Sequence, residues 1–145
     1  MNTVKSVAVI LERELAFTIK EWLKLVKLVP DLTNIPLSDS DRASHLPKLF
    51  DDLLCRLRRG KDAQPIISMA AAEHGNVRFA QGYSPSMLVE ESRIFQVSTF
   101  GTLHLHQSEL DQSDVLLDVM IIADEADRQL TETVRSFMTA QQAAA

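Results

Sequence analysis

The stretch Glu73-His74-Gly75-Asn76-Val77-Arg78-Phe79-Ala80-Gln81-Gly82-Tyr83-Ser84-Pro85-Ser86-Met87-Leu88-Val89-Glu90-Glu91 places a helix stop and a helix start within four residues, Gly82 to Pro85. Glycine just past a helical run supplies the left-handed terminating conformation, and Ser-Pro supplies an N-cap followed by proline at the first helical position. The reading is a helical hairpin with a very short turn at Gly82-Tyr83. Its first arm is expected over Gln64 to Gln81, with Pro65 in the first turn. Its second runs from Pro85 to about His106, apolar around most of its circumference through Met87, Leu88, Val89, Ile94, Phe95, Val97, Phe100, Leu103 and Leu105. Such a helix is expected to be the most enclosed one.

Outward from the hairpin the helical spacing continues in both directions. Val4, Val7, Ala8, Leu11, Leu15, Ile19, Trp22, Leu23, Val26 and Val29 form one stripe that Pro30 closes, so a single long first helix is expected. Asp31 to Asp41 reads as a loop ending in helix caps. Leu46, Leu49, Phe50, Leu53 and Leu57 then mark a helix that tolerates Pro47 only near its start and stops at Gly60. A last helix carries Val115, Val119, Ile122, Ala126, Leu130, Val134 and Phe137 on one line and runs into Gln141-Gln142-Ala143-Ala144-Ala145 without a stop signal.

These elements predict an all-α, single-domain bundle of about five helices, packed like a four-helix bundle with one addition or like a globin. Residues 1–140 form the domain, and 141–145 read as an Ala-rich tail, the start of a linker to a C-terminal domain. With 145 residues, one core burying roughly 68–70% of the unfolded surface is expected. The formal charge of −5 argues against a nucleic-acid partner, whose phosphates are held by an excess of cations. No run approaches the ~18 apolar residues of a membrane span. Met1 to Leu11 lacks a small-residue cleavage site and reads as mature protein. The lone Cys55, expected to be packed or half-buried, excludes an internal disulfide and suggests a reducing, cytoplasmic compartment.

The core stripe becomes polar at the hairpin. On the first arm Ile67 and Ala70 are followed at helical spacing by His74, Val77, Arg78 and Gln81, and on the second arm Glu91 lies on a line with Leu88, Phe95, Thr102 and Leu105. His74 is eight residues before Gly82 and Glu91 eight after Tyr83, so at 1.5 Å per residue each sits about 12 Å from the tip. They are expected to face each other. A buried charge without its partner costs about 3–5 kcal/mol, so Arg78 or His74 should pair with Glu91, and the carboxylate should raise the imidazole pKa. The cluster either fixes helix register, lines a small-ligand pocket or senses pH through His74.

Here the residues resemble a known family. His74-Gly75, Arg78, Gln81-Gly82-Tyr83 and then Leu88, Glu91-Ser92-Arg93 and Phe95 are similar to the H-G-x-x-R-x-x-Q-G-[YF] and L-x-x-E-[YS]-R-x-[LF] pattern of the RsbRD-type N-terminal sensor domain, named for co-antagonists of the RsbT kinase. Ser44-His45-Leu46-Pro47 is similar to that family's D-H-L-P element, with Ser44 in place of the acid. The resemblance implies a non-catalytic module of a bacterial signalling protein, most often a sensor histidine kinase or stress-pathway regulator. It adds His45, Tyr83 and Arg93 to His74, Arg78, Gln81 and Glu91 as candidate site residues. It also implies a downstream signalling domain on the same chain, reached through the last helix, and that helix could equally pair with a second copy as a homodimer.

Other chemistries find less support. His104 and His106 point roughly 200° apart on a helix and make a weak zinc pair. No Glu-x-x-His pair suggests a di-iron site, and no Gly-rich phosphate loop is present. The Arg56, Arg58, Arg59 and Lys61 run reads as a complement to a helix dipole. No cofactor is implied. The alternative is a stand-alone small-ligand or haem-binding helical protein, with His45, His74 or His104 as the axial ligand.

Overall fold

The computed structural model describes residues 4–145. Ser6 caps the first helix, its Oγ accepting from the Val9 N–H at 3.2 Å. That helix, α1 (Val7–Arg13), stops at Glu14 (φ −100°, ψ 21°), and α2 (Leu15–Val26) starts at the next residue. The single long helix expected from the stripe is therefore two. An apolar period is nearly unchanged by one non-helical residue, so the break leaves no trace in the pattern. Pro30 opens the single turn α3 (Pro30–Thr33), and Ser38 caps α4 (Asp39–Ala43). Helix α5 (Leu46–Arg59) has Pro47 in its first turn and ends at Gly60, whose φ of 87° is the left-handed conformation a side chain would resist.

The hairpin is α6 (Met69–Ala80) and α7 (Pro85–Leu105). Its first arm begins five residues later than the Gln64 expected, because Ser68 rather than Pro65 starts it, accepting from the Ala71 N–H at 3.0 Å. The buried line is accordingly Ala71, His74, Gly75 and Arg78, while Ile67 and Val77 are exposed. Gly82 takes a φ of 88°, and the Tyr83 N–H donates to the Arg78 carbonyl at 3.1 Å, which closes the turn. A 3₁₀ turn (Gln107–Glu109) leads to α8 (Val115–Ala143), 29 residues long.

The described residues are all-helical apart from an isolated bridge in which Lys5 exchanges backbone bonds with Glu109 and Asp111. There are more helical segments than the five expected, because the first is split and the capped loop contains α3 and α4. Among the described residues no helix is long and apolar enough to cross a membrane.

Helix α8 packs against α5, α6 and α7, and α1 and α2 also pack against α7. Trp22, Leu46, Phe50, Leu53, Leu88, Ile94, Ile122 and Phe137 form the buried apolar centre. Helix α7 is less enclosed than its composition suggests, since Val89, Val97 and Leu105 are exposed. Cys55 is also exposed, contrary to the packed thiol expected.

A close contact between α6 and α8 is made possible by one glycine. A Cβ at Gly75 would lie 2.1 Å from the Thr133 carbonyl oxygen and 3.0 Å from the Phe137 nitrogen, both backbone atoms. Beside it the Thr133 hydroxyl donates to the Ala71 carbonyl at 2.9 Å. Gly75→Ala should therefore lower stability by about 3 kcal/mol through forced separation of α6 and α8. Gly101→Ala on α7, where the added methyl meets nothing within 4 Å, should instead raise it by ~0.5–1 kcal/mol. Denaturant melts of both variants check the contrast.

Candidate functional site

Helix α6 presents His74 and Arg78 one turn apart, and α7 presents Glu91 opposite them. Arg78 is 1% exposed and Glu91 3%. The guanidinium meets the carboxylate as a fork, Nε to Oε1 at 3.1 Å and Nη2 to Oε2 at 2.9 Å. Two parallel charge-assisted bonds of this kind fix orientation as well as charge. Two of the three remaining guanidinium N–H groups go to Gln81 Oε1 (from Nη1, 2.7 Å) and to the Arg42 carbonyl (from Nη2, 2.6 Å). Tyr83 donates its hydroxyl to Glu91 Oε2 at 3.2 Å, and its ring lies under the guanidinium, 4.6 Å from Cζ. Burial and the neighbouring Glu91 charge push the Tyr83 phenol up to about 12, so it stays a donor.

His74 approaches the same carboxylate, Nε2 to Oε1 at 3.4 Å. Its other partner is His45, from the junction of α4 and α5, whose ring stacks on it with centroids 3.7 Å apart and planes 10° from parallel. Trp22 of α2 meets His45 edge-on at 5.5 Å and donates its indole N–H to the Glu91 carbonyl at 3.3 Å. Burial pushes the His74 pKa down, and the nearby Glu91 only partly opposes this. The expectation of a raised imidazole pKa is thus corrected: loss of water outweighs the carboxylate, whose charge Arg78 already engages. His45 is driven well below its ordinary value by burial, then by the charges of His74 and Arg78. Its Nδ1 is buried without a hydrogen-bond partner.

Six of the seven residues singled out in the sequence therefore converge. Arg93 does not, because it lies on the outer side of α7, exposed and paired to Glu90 one turn back at 3.1 Å. Two members escaped sequence reasoning. Trp22 was read as ordinary core. Arg42, which follows the Asp31 to Asp41 stretch read as a capped loop and was given no role, is buried and donates to the carbonyls of Leu32, Ile35 and Leu37 at 2.8, 2.9 and 3.3 Å. No pattern in Ser38-Asp39-Ser40-Asp41-Arg42 marks it.

The stacked imidazoles border two spaces. On one side is an internal cavity of about 30 Å³ bounded also by Trp22, Glu91, Gln129 and Thr133, a volume on the scale of a water molecule or two. On the other is a cleft of about 220 Å³ between α4, α5 and α6, with Asp41, Lys48 and Glu73 on its walls. A second polar seam lies further along α8. Arg56 bonds Asp124 at 2.6 Å and buried Glu125 at 3.3 Å, and Gln129 donates to Glu125 and to the Leu49 carbonyl. Arg56 lies in the last turn of α5, where the dipole reading expects a cation, and is an ion-pair partner as well.

Comparison with protein-family models, with curated proteins and with solved structures finds no match.

Two outcomes follow from the charge arrangement. Glu91→Gln should cost about 3 kcal/mol, because Arg78 is left buried without its counter-charge, whereas Glu90→Gln should change stability by less than about 0.5 kcal/mol. Urea melts at neutral pH measure both. With both imidazole pKa values depressed, the unfolded chain binds more protons than the folded one below the ordinary histidine value of 6.5. The histidine contribution is therefore complete above that value and is lost as pH falls beneath it. The drop in urea midpoint between about pH 7.5 and 5.5 should shrink in His74→Gln relative to the parent chain.

Proposed function

We propose that this chain is a non-catalytic sensory or regulatory module of a bacterial signal-transduction protein, in which the state of the His45, His74, Arg78 and Glu91 cluster is passed to α8. The observation that carries the reading is the position of the cluster relative to Gly75. His74 and Gly75 are consecutive, so the residue whose protonation or ligation can change adjoins a position where α6 lies directly against the α8 backbone. A close-packed contact of this kind has little room for gradual adjustment, so a shift of α6 must move α8 or separate from it. Such a shift is a signal only if the two arrangements differ in affinity for a proton, a ligand or a partner.

The resemblance to RsbRD-type N-terminal sensor domains supports the same reading, and with it a kinase or stress-regulator output and a homodimeric assembly. The absence of a nucleophile set beside a base in the cluster supports a binding rather than a reacting role: its acid, Glu91, is engaged by Arg78 and Tyr83. The haem alternative has less support, because the cavity beside the imidazoles is about 30 Å³ and their faces cover each other.

In the natural gene, the coding region around this domain should include a kinase, phosphoacceptor or comparable signalling domain. In that full-length protein Glu91→Gln should change output phosphorylation by at least about fivefold, the lower end of ordinary allosteric coupling. A gene encoding no signalling domain, or an output indifferent to Glu91→Gln, overturns the reading.

A further inference from the structure

His74 Nε2 and Glu91 Oε1 are 3.4 Å apart, and a candidate donor atom of His45 completes a trio lying within 4.8 Å of one another. A charge-assisted N–H···O bond is usually about 2.7–2.9 Å long, so 3.4 Å is loose for one. It is close to the edge of a tetrahedron whose metal–ligand bonds are about 2.0–2.1 Å, that is, about 1.6 times the bond length. Two imidazoles and one carboxylate, supplied by the α4–α5 junction, α6 and α7, are the donor types a first-row divalent ion takes, with the next position open to water.

We propose that His45, His74 and Glu91 bind a divalent transition-metal ion of the zinc type, reached from the cleft between α4, α5 and α6. This deepens the sensory reading by naming the ligand class, and it rests on that reading for its purpose only. Four features of the site support it. Glu91 is oriented by Arg78 and Tyr83, the kind of outer-shell support that liganding carboxylates receive. Oε2 carries Arg78 Nη2 and Tyr83, whereas Oε1 carries only Arg78 Nε and keeps a lone pair on the side of His74. His45 Nδ1 is a buried nitrogen without a partner. Both rings are held in the neutral form a metal requires.

The arrangement also sets the character of binding. The rings are stacked 10° from parallel, so capture must tilt the two imidazoles until their donors converge. That motion begins at His74, next to the Gly75 contact with α8. Arg78 places a fixed positive charge against the same carboxylate, which weakens binding and makes it reversible; Asp41 and Glu73 on the cleft wall, set against Lys48, partly offset it.

Trp22, the only tryptophan, lies edge-on to His45 and reports on the site directly. The chain, stripped with a chelator and then freed of it, is titrated with Co²⁺ while tryptophan emission is followed. Quenching should saturate at one equivalent per chain and be reversed by Zn²⁺. His45→Gln and His74→Gln should each weaken it about tenfold or more, while His106→Gln, at the exposed Arg13–Glu109 ion pair, should leave it unchanged. Absence of saturable quenching, quenching that survives both substitutions, or quenching lost on His106→Gln overturns the site. Should a variant fail to fold by circular dichroism, the parent chain decides: Zn²⁺ must shift the ring resonances of two histidines, and no shift overturns the proposal. Failure here leaves the sensory reading standing, since that is decided by the gene and by the output of Glu91→Gln.

Discussion

The Glu91 carboxylate is the constraint around which the rest is arranged. A carboxylate removed from water is tolerable only when its lone pairs are filled by donors, and here Arg78 and Tyr83 fill most of them. Those donors fix more than the charge. Arg78 is held in turn by Gln81 and by the carbonyl of Arg42, and the main chain at Glu91 receives the Trp22 indole. One buried carboxylate thus sets the relative positions of α2, α4, α6, the Gly82 turn and α7. Well-packed apolar residues would be as stabilising or more so, since the desolvation of such a pair roughly cancels its attraction. What the pair contributes is register: any slip of α6 along α7 would strand a charge.

The neighbouring flank of the same buried face of α6 is governed by shape rather than charge. With Gly75 against the Thr133 carbonyl, helix backbones meet without intervening side chains, and the hydroxyl of Thr133 reaches the Ala71 carbonyl across the gap. The buried side of α6 is therefore gripped along one flank by an ion pair and along the next by direct backbone contact. Both grips are specific to one arrangement, so a disturbance of His74 has no soft layer of apolar side chains in which to dissipate before it reaches α8.

How far this was legible in the sequence depends on the physical origin of each feature. Gly82 and Ser84-Pro85 write their turn in backbone conformation, which is local, and the three-and-four spacing of His74, Arg78 and Gln81 follows from helix geometry alone. The pairing of His74 and Arg78 with Glu91 needed only these two local facts and the cost of an unpaired buried charge. Arg93 was misplaced because a motif match is blind to rotation about the helix axis, which puts it about 200° from Glu91 and into solvent. The break at Glu14, the burial of Arg42 and the polar line Glu125, Gln129 and Thr133 on α8 depend on neighbours distant in the chain, so no window of sequence contains their cause. The α8 line was hidden further by apolar neighbours such as Ile122, Ala126 and Phe137, which share the buried side and belong to the stripe that carried the periodic signal.

The imidazole pair connects the two readings of the cluster. Burial, not an absence of acid, keeps His45 and His74 neutral, and a neutral imidazole is a base for either a proton or a metal ion. The two ligands compete for the same nitrogens, so each proton taken up at acid pH must lower metal affinity and each metal bound must resist acid disruption of the stack. A first proton adds one charge beside Arg78, and a second would set two charged rings against each other at 3.7 Å, whereas a divalent ion at the proposed site would tilt the stacked rings until their donors converge beside Glu91. Either event would disturb the residue preceding Gly75 while Arg78 holds the carboxylate in place.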